Sequence, residues 1–419
     1  MGNAIPPDMA ASVQSPTTSA LSTEAHSDRA LPSKQGAARA FAFDLIRSDS
    51  TYGPRLGRMT TARGVVETPA FMPVGTQATV KTLLPEEVRA AGAQIILANT
   101  YHLMLRPGLE TLVAAGGLHR FMGWDAPILT DSGGFQIFSL AGNARVREAG
   151  VTFRSHIDGS AHELDPEASV NLQLRWGSDI VMALDHLVGL PSDRETVRDA
   201  TDRTHRWLAR CIAAFDDRNG EAHSALFGIC QGGMDYDLRA ASASALADAD
   251  VAGCAIGGLS VGEPKPVMAE MIEVVNRILP ERKPRYLMGV GSPEDLWMGV
   301  ALGVDLFDCV LPTRLARNGA LFTDDGRVNI KQRRFASVHQ PIDEGCDCAT
   351  CQIFTAAYVH HLFRAREILG LRLASVHNLR FLARQMETMR SALDRGTFAA
   401  AHTAFRDRYR PVGANTEYE

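Results

Sequence analysis

From residue 70 onward, short unbroken apolar runs alternate with longer segments that mix charged and apolar positions. The runs are AFMPV at 70–74, QIILA at 94–98, APILT at 126–130, DIVMAL at 179–184, ALFGI at 225–229, GCAIG at 253–257, RYLMGV at 285–290 and VDLF at 304–307. A run without polar alternation is what a strand covered on both faces requires, and parallel sheets provide that environment. The intervening segments carry helix punctuation. Pro85, Pro166 and Pro293 stand where a first turn would begin, each followed by Glu, and Asp165 and Ser292 are suited to cap the helices they precede. SPED at 292–295 predicts a capping box, and LWMGVALG closes on Gly303. Between 193 and 217, Val197, Leu208 and Ile212 stand among many charges, as on a barrel's outer helix. Eight such alternations within about 250 residues predict an α/β fold, a (β/α)8 TIM barrel. On pattern alone a doubly wound open sheet is the alternative.

The ends read differently. Residues 1–37 are rich in Ser, Thr, Ala and Pro and predict a disordered tail, without the Arg-rich, acid-free character of a transit peptide. Pro6 argues against lipid attachment at Gly2. The catalytic barrel is expected over 38–410, with a zinc-binding basic subdomain inserted at about 312–380 and a C-terminal tail at 411–419. Over the full 419 residues, 45% hydrophobic and 22% charged positions suit an ordinary globular protein and exclude wholesale disorder. No apolar run approaches the roughly 18 residues a membrane span needs, and no secretory signal is evident. A cytoplasmic location is expected.

Candidate chemistry sits where the runs end, because the loops after the strands build the active site of such a barrel. Asp131 follows ILT, Asp185 follows IVMAL, Gln231 follows FGIC, Gly258 and Leu259 follow CAIG, Met288 ends RYL and Asp308 follows DLF. Three carboxylates and an amide on one rim, with glycine pairs at 133–134, 232–233 and 257–258, describe a polar pocket for a planar ligand. For any one aspartate, capping of the next helix is the competing explanation.

Seven cysteines are an odd number, and three of them, Cys346, Cys348 and Cys351, fall within six positions, which suits a metal better than disulfides. His377 could complete a Cys3His set of the kind structural zinc favours; His360 and His361 compete for that place, preceding a helix-like LFRAREIL stretch, whereas His377 opens SVHNLRFLARQM. The net charge of −5 demands no nucleic-acid partner by itself. Locally, however, 313–335 holds six Arg or Lys against two Asp, and 360–410 holds ten Arg against four acids. Arg314, Arg317, Arg327, Lys331, Arg333 and Arg334 beside a polar pocket suggest a phosphate-backbone track, with a solvated charged face as the alternative.

DSGGFQ at 131–136, SDIVMALD at 178–185, QGG at 231–233, GGLSVGE at 257–263, YLMGVG at 286–291, DLFDCVLPTR at 305–314 and the CxCxxC…His set resemble the queuine and preQ1 tRNA-ribosyltransferases, or tRNA-guanine transglycosylases. The likeness runs from about residue 40 to about 410. It implies exchange of guanine at wobble position 34 of tRNAs with a GUN anticodon, those for Asp, Asn, His and Tyr, for a 7-deazaguanine in queuosine biosynthesis. By resemblance Asp308 would be the nucleophile and Asp131 the general acid/base. Asp185, Ser132, Gln231 and the backbone of Gly258 and Leu259 would hold the base, with Phe135 and Met288 on its faces. One structural Zn2+ per chain and a homodimer are implied too. Both catalytic aspartates are present, which argues against a non-catalytic tRNA-binding paralogue; the basic zinc module argues against a small-molecule hydrolase.

Two positions depart from the bacterial pattern. Glu-Cys usually follows the pocket aspartate, where this chain has His186 and Leu187 in a DHLVGLP segment nearer the eukaryotic type. The family's glutamate at His186 takes part in a backbone switch near Leu259 and Glu263. Val261 looks bacterial. The incoming base is therefore open between preQ1, favoured by Val261, and queuine.

Overall fold

The computed structural model describes residues 40–50, 52–140, 142–189 and 191–411. The tail expected at 1–37, and all of 411–419 except Pro411, lie outside the described residues. Each of the eight apolar runs is a strand: β1 Ala70–Pro73, β2 Ile96–Ala98, β3 Ile128–Thr130, β4 Ile180–Met182, β5 Ala225–Cys230, β6 Gly253–Ile256, β7 Arg285–Leu287 and β8 Leu306–Cys309. They pair in parallel in the order β1-β8-β7-β6-β5-β4-β3-β2. A parallel bridge from Val74 to Leu97 joins the two ends of that order, so the sheet closes into a (β/α)8 barrel and is not an open one.

The missing alternation has a direct cause, since neighbouring residues of each strand enter two different cores. Met72, Leu97, Leu129, Ile180, Met182, Phe227, Ile229, Ala255 and Leu306 pack together in the lumen. Phe71, Ile96, Ile128, Val181, Leu226, Ile256, Leu287 and Phe307 join the larger core under the helices. Met59 and Val66 belong to the lumen cluster although they precede β1. They come from an antiparallel sheet of Ala42–Ser48, Arg55–Thr61 and Gly64–Thr68, which plugs the N-terminal end of the barrel. Arg55 clamps the plug, donating from Nε to Asp305 Oδ1 at 2.9 Å and to the carbonyls of Glu281 and Lys283.

Helix signals hold in most places. Asp165 accepts from the Ala168 amide at 2.7 Å and Asp193 from Thr196 at 2.9 Å, opening Pro166–Arg175 and Arg194–Asp217. Gly303 follows the helix Pro293–Ala301 with φ +84°, the left-handed stop expected of it. The capping box at 292–295 is only half made: Ser292 Oγ accepts from the Asp295 amide at 3.3 Å, but the Asp295 carboxylate turns to Lys265. LFRAREIL is not one helix, because Ala356–Ala365 ends at Arg366 in the left-handed region (φ +59°) before Ile368–Arg395 begins.

Two insertions interrupt the alternation. An antiparallel sheet of Gly142–Val146, Val151–Arg154 and Ala161–Leu164 lies between the helices Gly134–Leu140 and Pro166–Arg175. The second runs from the helix Leu311–Arg317 through the hairpin Ala320–Thr323/Gly326–Asn329 and the cysteine cluster. It ends at the 28-residue helix Ile368–Arg395, which packs against β1 and the helices Pro85–Ala90 and Pro293–Ala301 and so takes the place of the barrel's last outer helix. Among the described residues no helix is long and apolar enough to cross a membrane.

Candidate active site and metal centre

Asp131 and Asp308 are buried at the C-terminal rim, and Asp185 beside them is partly buried. None accepts a backbone N–H from the helix that follows its own strand, so the capping explanation fails for all three. Asp131 accepts four bonds: from Asn99 Nδ2 at 2.5 Å and Gln136 Nε2 at 2.8 Å on Oδ2, and from the amides of Thr100 at 2.8 Å and Gly133 at 3.2 Å on Oδ1. Burial nevertheless pushes its carboxyl up to about 6, with the charge of Asp308 adding to the shift and the hydrogen bonds opposing it.

Asp308 is held differently. The Tyr286 hydroxyl, at 2.6 Å, and the Gly289 amide, at 2.8 Å, both donate to its Oδ1. Its Oδ2 has no hydrogen-bond partner among the described residues, and no cation pairs with it. Burial raises this carboxyl as well. Burial and the neighbouring Asp308 hold the Tyr286 phenol well above its ordinary value, so it stays a donor.

Asp185 accepts from Ser132 Oγ at 3.2 Å and from Gln231 Nε2 at 2.7 Å. Gln231 explains the glycine pair at 257–258. A Cβ on Gly257 would lie 2.7 Å from Gln231 Nε2, and one on Gly258, whose φ is +65°, would lie 2.4 Å from Oε1. The amides of Gly258 and Leu259 donate to nothing among the described residues. Phe135 stands half exposed on the helix after β3, and Met288 is partly buried beyond β7.

His186 faces away from this group. Its Nδ1 accepts from Arg203 Nη1 at 3.1 Å, and its ring lies 6.2 Å from Trp207, both on the helix Arg194–Asp217. Burial and Arg203 lower its pKa to about 4, so the imidazole is neutral. Glu263 instead accepts from the amides of Ser260 and Val261.

Several residues in this network carry no mark in the pattern reading. Asn99 had a usable signal, being the first polar side chain after the QIILA run, the same rule that marks the aspartates. Tyr286 brings a hydroxyl into the otherwise apolar lumen cluster. Thr100, Gln136 and Arg239 become legible only when distant loops meet.

Cys346, Cys348, Cys351 and His377 are buried together, their ligand atoms all within 4.8 Å of one another. His377 Nδ1 lies 3.6, 3.7 and 3.3 Å from the three sulfurs. Tetrahedral bonds of about 2.3 Å to sulfur and 2.0–2.1 Å to nitrogen require sulfur–nitrogen separations of roughly 3.6 Å. The cluster can therefore hold a metal ion without rearrangement. Nε2 of His377 donates to the Phe322 carbonyl at 2.6 Å, which fixes the tautomer that leaves Nδ1 free to bind. His377 sits well inside its helix rather than opening it, and His360, bonded to the Ile330 carbonyl at 2.7 Å, is excluded from the set.

Arg314, Lys331, Arg333 and Arg334 are exposed, and Arg317 is half buried with Nη1 lacking a partner. None of the five forms an ion pair among the described residues. Arg334 lies 4.8 Å over the Phe335 ring.

A closed barrel with buried carboxylates on its rim and a Cys3His insertion defines a barrel enzyme with an accessory module built around a cluster that could hold a metal ion. The family model for queuine tRNA-ribosyltransferase matches residues 49–411, and the chain belongs to that family. It is thus a pentosyltransferase. Proteins named queuine tRNA-ribosyltransferase share 58% identity over 353 residues in Herpetosiphon aurantiacus, covering 84% of this chain and 88% of that protein. In Symbiobacterium thermophilum the figures are 55% over 370 residues, 88% and 92%. In Desulforudis audaxviator they are 55% over 363 residues, 87% and 97%.

Proposed function

We propose that this chain exchanges guanine at wobble position 34 of GUN-anticodon tRNAs, those for Asp, Asn, His and Tyr, for a 7-deazaguanine through a covalent ribosyl-aspartate. The observation that carries this reading is the unequal treatment of two buried carboxylates. Asp308 has one oxygen fixed and one free, with no cation to quench it, as a nucleophile needs. Asp131, raised to about 6, can give and take a proton near neutrality. Oδ2 of Asp308 attacks C1′ of the nucleotide, and the bond from C1′ to N9 of guanine breaks as Asp131 delivers a proton to the leaving base. The incoming base then loses its N9 proton to Asp131, its nitrogen attacks C1′, and Asp308 is released. The glycosidic bond is exchanged, so no energy source is needed. The target base must leave the stack to reach so buried a pair.

Asp185, Ser132, Gln231 and the free amides of Gly258 and Leu259 match the donors and acceptors of a 2-amino-6-oxo base edge, with Phe135 and Met288 for its faces. PreQ1 is favoured as the incoming base. The Ser260 amide points at Glu263, so peptide planarity turns the Leu259 carbonyl the other way, available to an ammonium substituent. Val261 keeps the wall bulky.

One structural Zn2+ would be held by Cys346, Cys348, Cys351 and His377, bracing the insertion whose Arg314, Arg317, Lys331, Arg333 and Arg334 follow the RNA backbone. Exposed Ile353, Tyr358, Ile368 and Leu369 on and beside that insertion fit a homodimer contact. Nucleoside mass spectrometry of a GUN-anticodon tRNA, incubated with preQ1 and queuine in competition, tests the assignment. The preQ1 nucleoside should dominate at position 34. A strong preference for queuine would overturn the choice of base, and unchanged guanosine the whole reading.

A further inference from the structure

Arg239, on the helix Tyr236–Asp248, is fully buried and touches no carboxylate. Its guanidinium is spent on backbone carbonyls: Nε on Gly233 at 2.8 Å, Nη1 on Gly257 at 2.7 Å and Cys230 at 3.4 Å, and Nη2 on Gly258 at 3.2 Å. Apart from that of Cys230, the last residue of β5, these oxygens belong to the two loops that follow β5 and β6, the loops that carry Gln231 and the Gly258–Leu259 amides. A buried cation with no carboxylate in contact is expensive to maintain. Its place here needs a reason beyond packing.

We infer that Arg239 is a positioning residue for the base pocket, which fixes the Gly258 and Leu259 amides as a paired donor for the 6-oxo group of the purine; this rests on the proposed function. Both loops are glycine-rich, with Gly232, Gly233 and Gly258 at φ +132°, +56° and +65°, and so have little conformational preference of their own. Peptide planarity supplies the link. A Gly257 carbonyl drawn to Arg239 turns the Gly258 N–H to the opposite side, and a Gly258 carbonyl drawn to Arg239 does the same for Leu259. Those two N–H groups are the unpartnered ones, and Gln231 and Asp185 stand beside them. The guanidinium also puts a positive charge behind the donor pair, the sign that favours a carbonyl oxygen in front of it. Lysine would keep the charge and lose the fork that holds two consecutive carbonyls.

The test compares the zinc-loaded wild type with Arg239→Lys and Arg239→Met, using calorimetric binding of guanine and of 2-aminopurine, which lacks the 6-oxo group, beside labelled-guanine exchange into tRNA. Wild type should bind guanine at least about tenfold more tightly than 2-aminopurine, the scale of one well-made hydrogen bond. In both variants that preference should shrink toward unity and the KM for guanine rise about tenfold or more. The KM for tRNA should move less than about threefold. Equal weakening of both ligands would reduce Arg239 to a packing role and overturn the inference. Equal binding of the two ligands by the wild type would overturn it even if neither variant folds. Wild type that discriminates between them but transfers no guanine would instead remove the proposed function and leave the donor pair standing.

Discussion

Asp305 and Asp308 lie three residues apart at opposite ends of one strand, and the protein treats them in opposite ways. Asp305, at the plugged end, is fully buried and neutralised by Arg55, with the Arg285 amide adding a bond at 2.7 Å. Asp308, at the open end, receives a phenol and one amide on one oxygen and nothing on the other. A buried carboxylate locked to a guanidinium has no reactivity to lend, whereas one supported only by neutral donors keeps a free lone pair. The same residue type thus fastens the barrel below and, in the proposed mechanism, arms it above, and the neighbouring cation makes the difference.

The largest effect that would sharpen this contrast is Asp308→Asn, for which exchange should vanish while the fold is kept. No tRNA adduct should survive denaturing electrophoresis, and tRNA should still bind. An adduct that persists would move the nucleophile elsewhere, with Asp131 the first candidate. Asp131→Asn should lower exchange by about 10²–10⁴-fold, leaving residual turnover, when labelled guanine release is followed.

The same variant carries a pH signature. The folded carboxyl titrates near 6, above its unfolded value near 3.8, so its contribution to stability is present below the lower value and lost as pH rises through the upper. Thermal melts should therefore favour Asp131→Asn over wild type increasingly between about pH 4 and 7, by roughly 3 kcal/mol at most. A flat difference would mean the carboxyl is not raised by burial.

Cys348→Ala separates the Cys3His insertion, with its proposed zinc, from both barrel ends. Bound zinc by elemental analysis and tRNA affinity should fall together, while guanine binding persists. Zinc-free wild type with full tRNA affinity would break that link. Asp305→Asn should reverse the Asp308 pattern, costing about 3–5 kcal/mol by leaving Arg55 buried and unpaired, with kcat per folded molecule nearly unchanged. The smallest effects belong to the exposed cations. Each of Lys331→Ala and Arg333→Ala should flatten the log–log salt dependence of tRNA binding by roughly 0.7–0.9. Unchanged slopes would return these side chains to the solvated face.

The barrel was legible because burial on both faces of a strand leaves an unbroken apolar run, a local signature. The plugging sheet escaped because its strands alternate and precede the first such run; Met59 and Val66 declare themselves only against Phe227 and its neighbours in the lumen. The rim aspartates and the Cys3His set could be read from position and spacing. Their supports could not, since Tyr286 meets Asp308 across 22 positions and Asn99 meets Asp131 across 32. Arg239 looks like any polar residue of an outer helix until the two glycine loops close around it.

The pairing of β1 with β8 sets Ala70 against Leu306 and Phe71 against Phe307, partners more than two hundred positions apart. Closure of this kind needs a nearly complete chain, and the entropy of the long loop must be met before the contact returns anything. The strand that completes the cylinder also bears Asp308, and the helix laid over that seam bears His377. A chain still emerging from the ribosome would thus hold Asp131, Asp185 and Gln231, proposed for acid/base work and base binding, before Asp308, the proposed nucleophile. On that reading, the barrel and its proposed reactive carboxylate are completed together, in the last third of the chain.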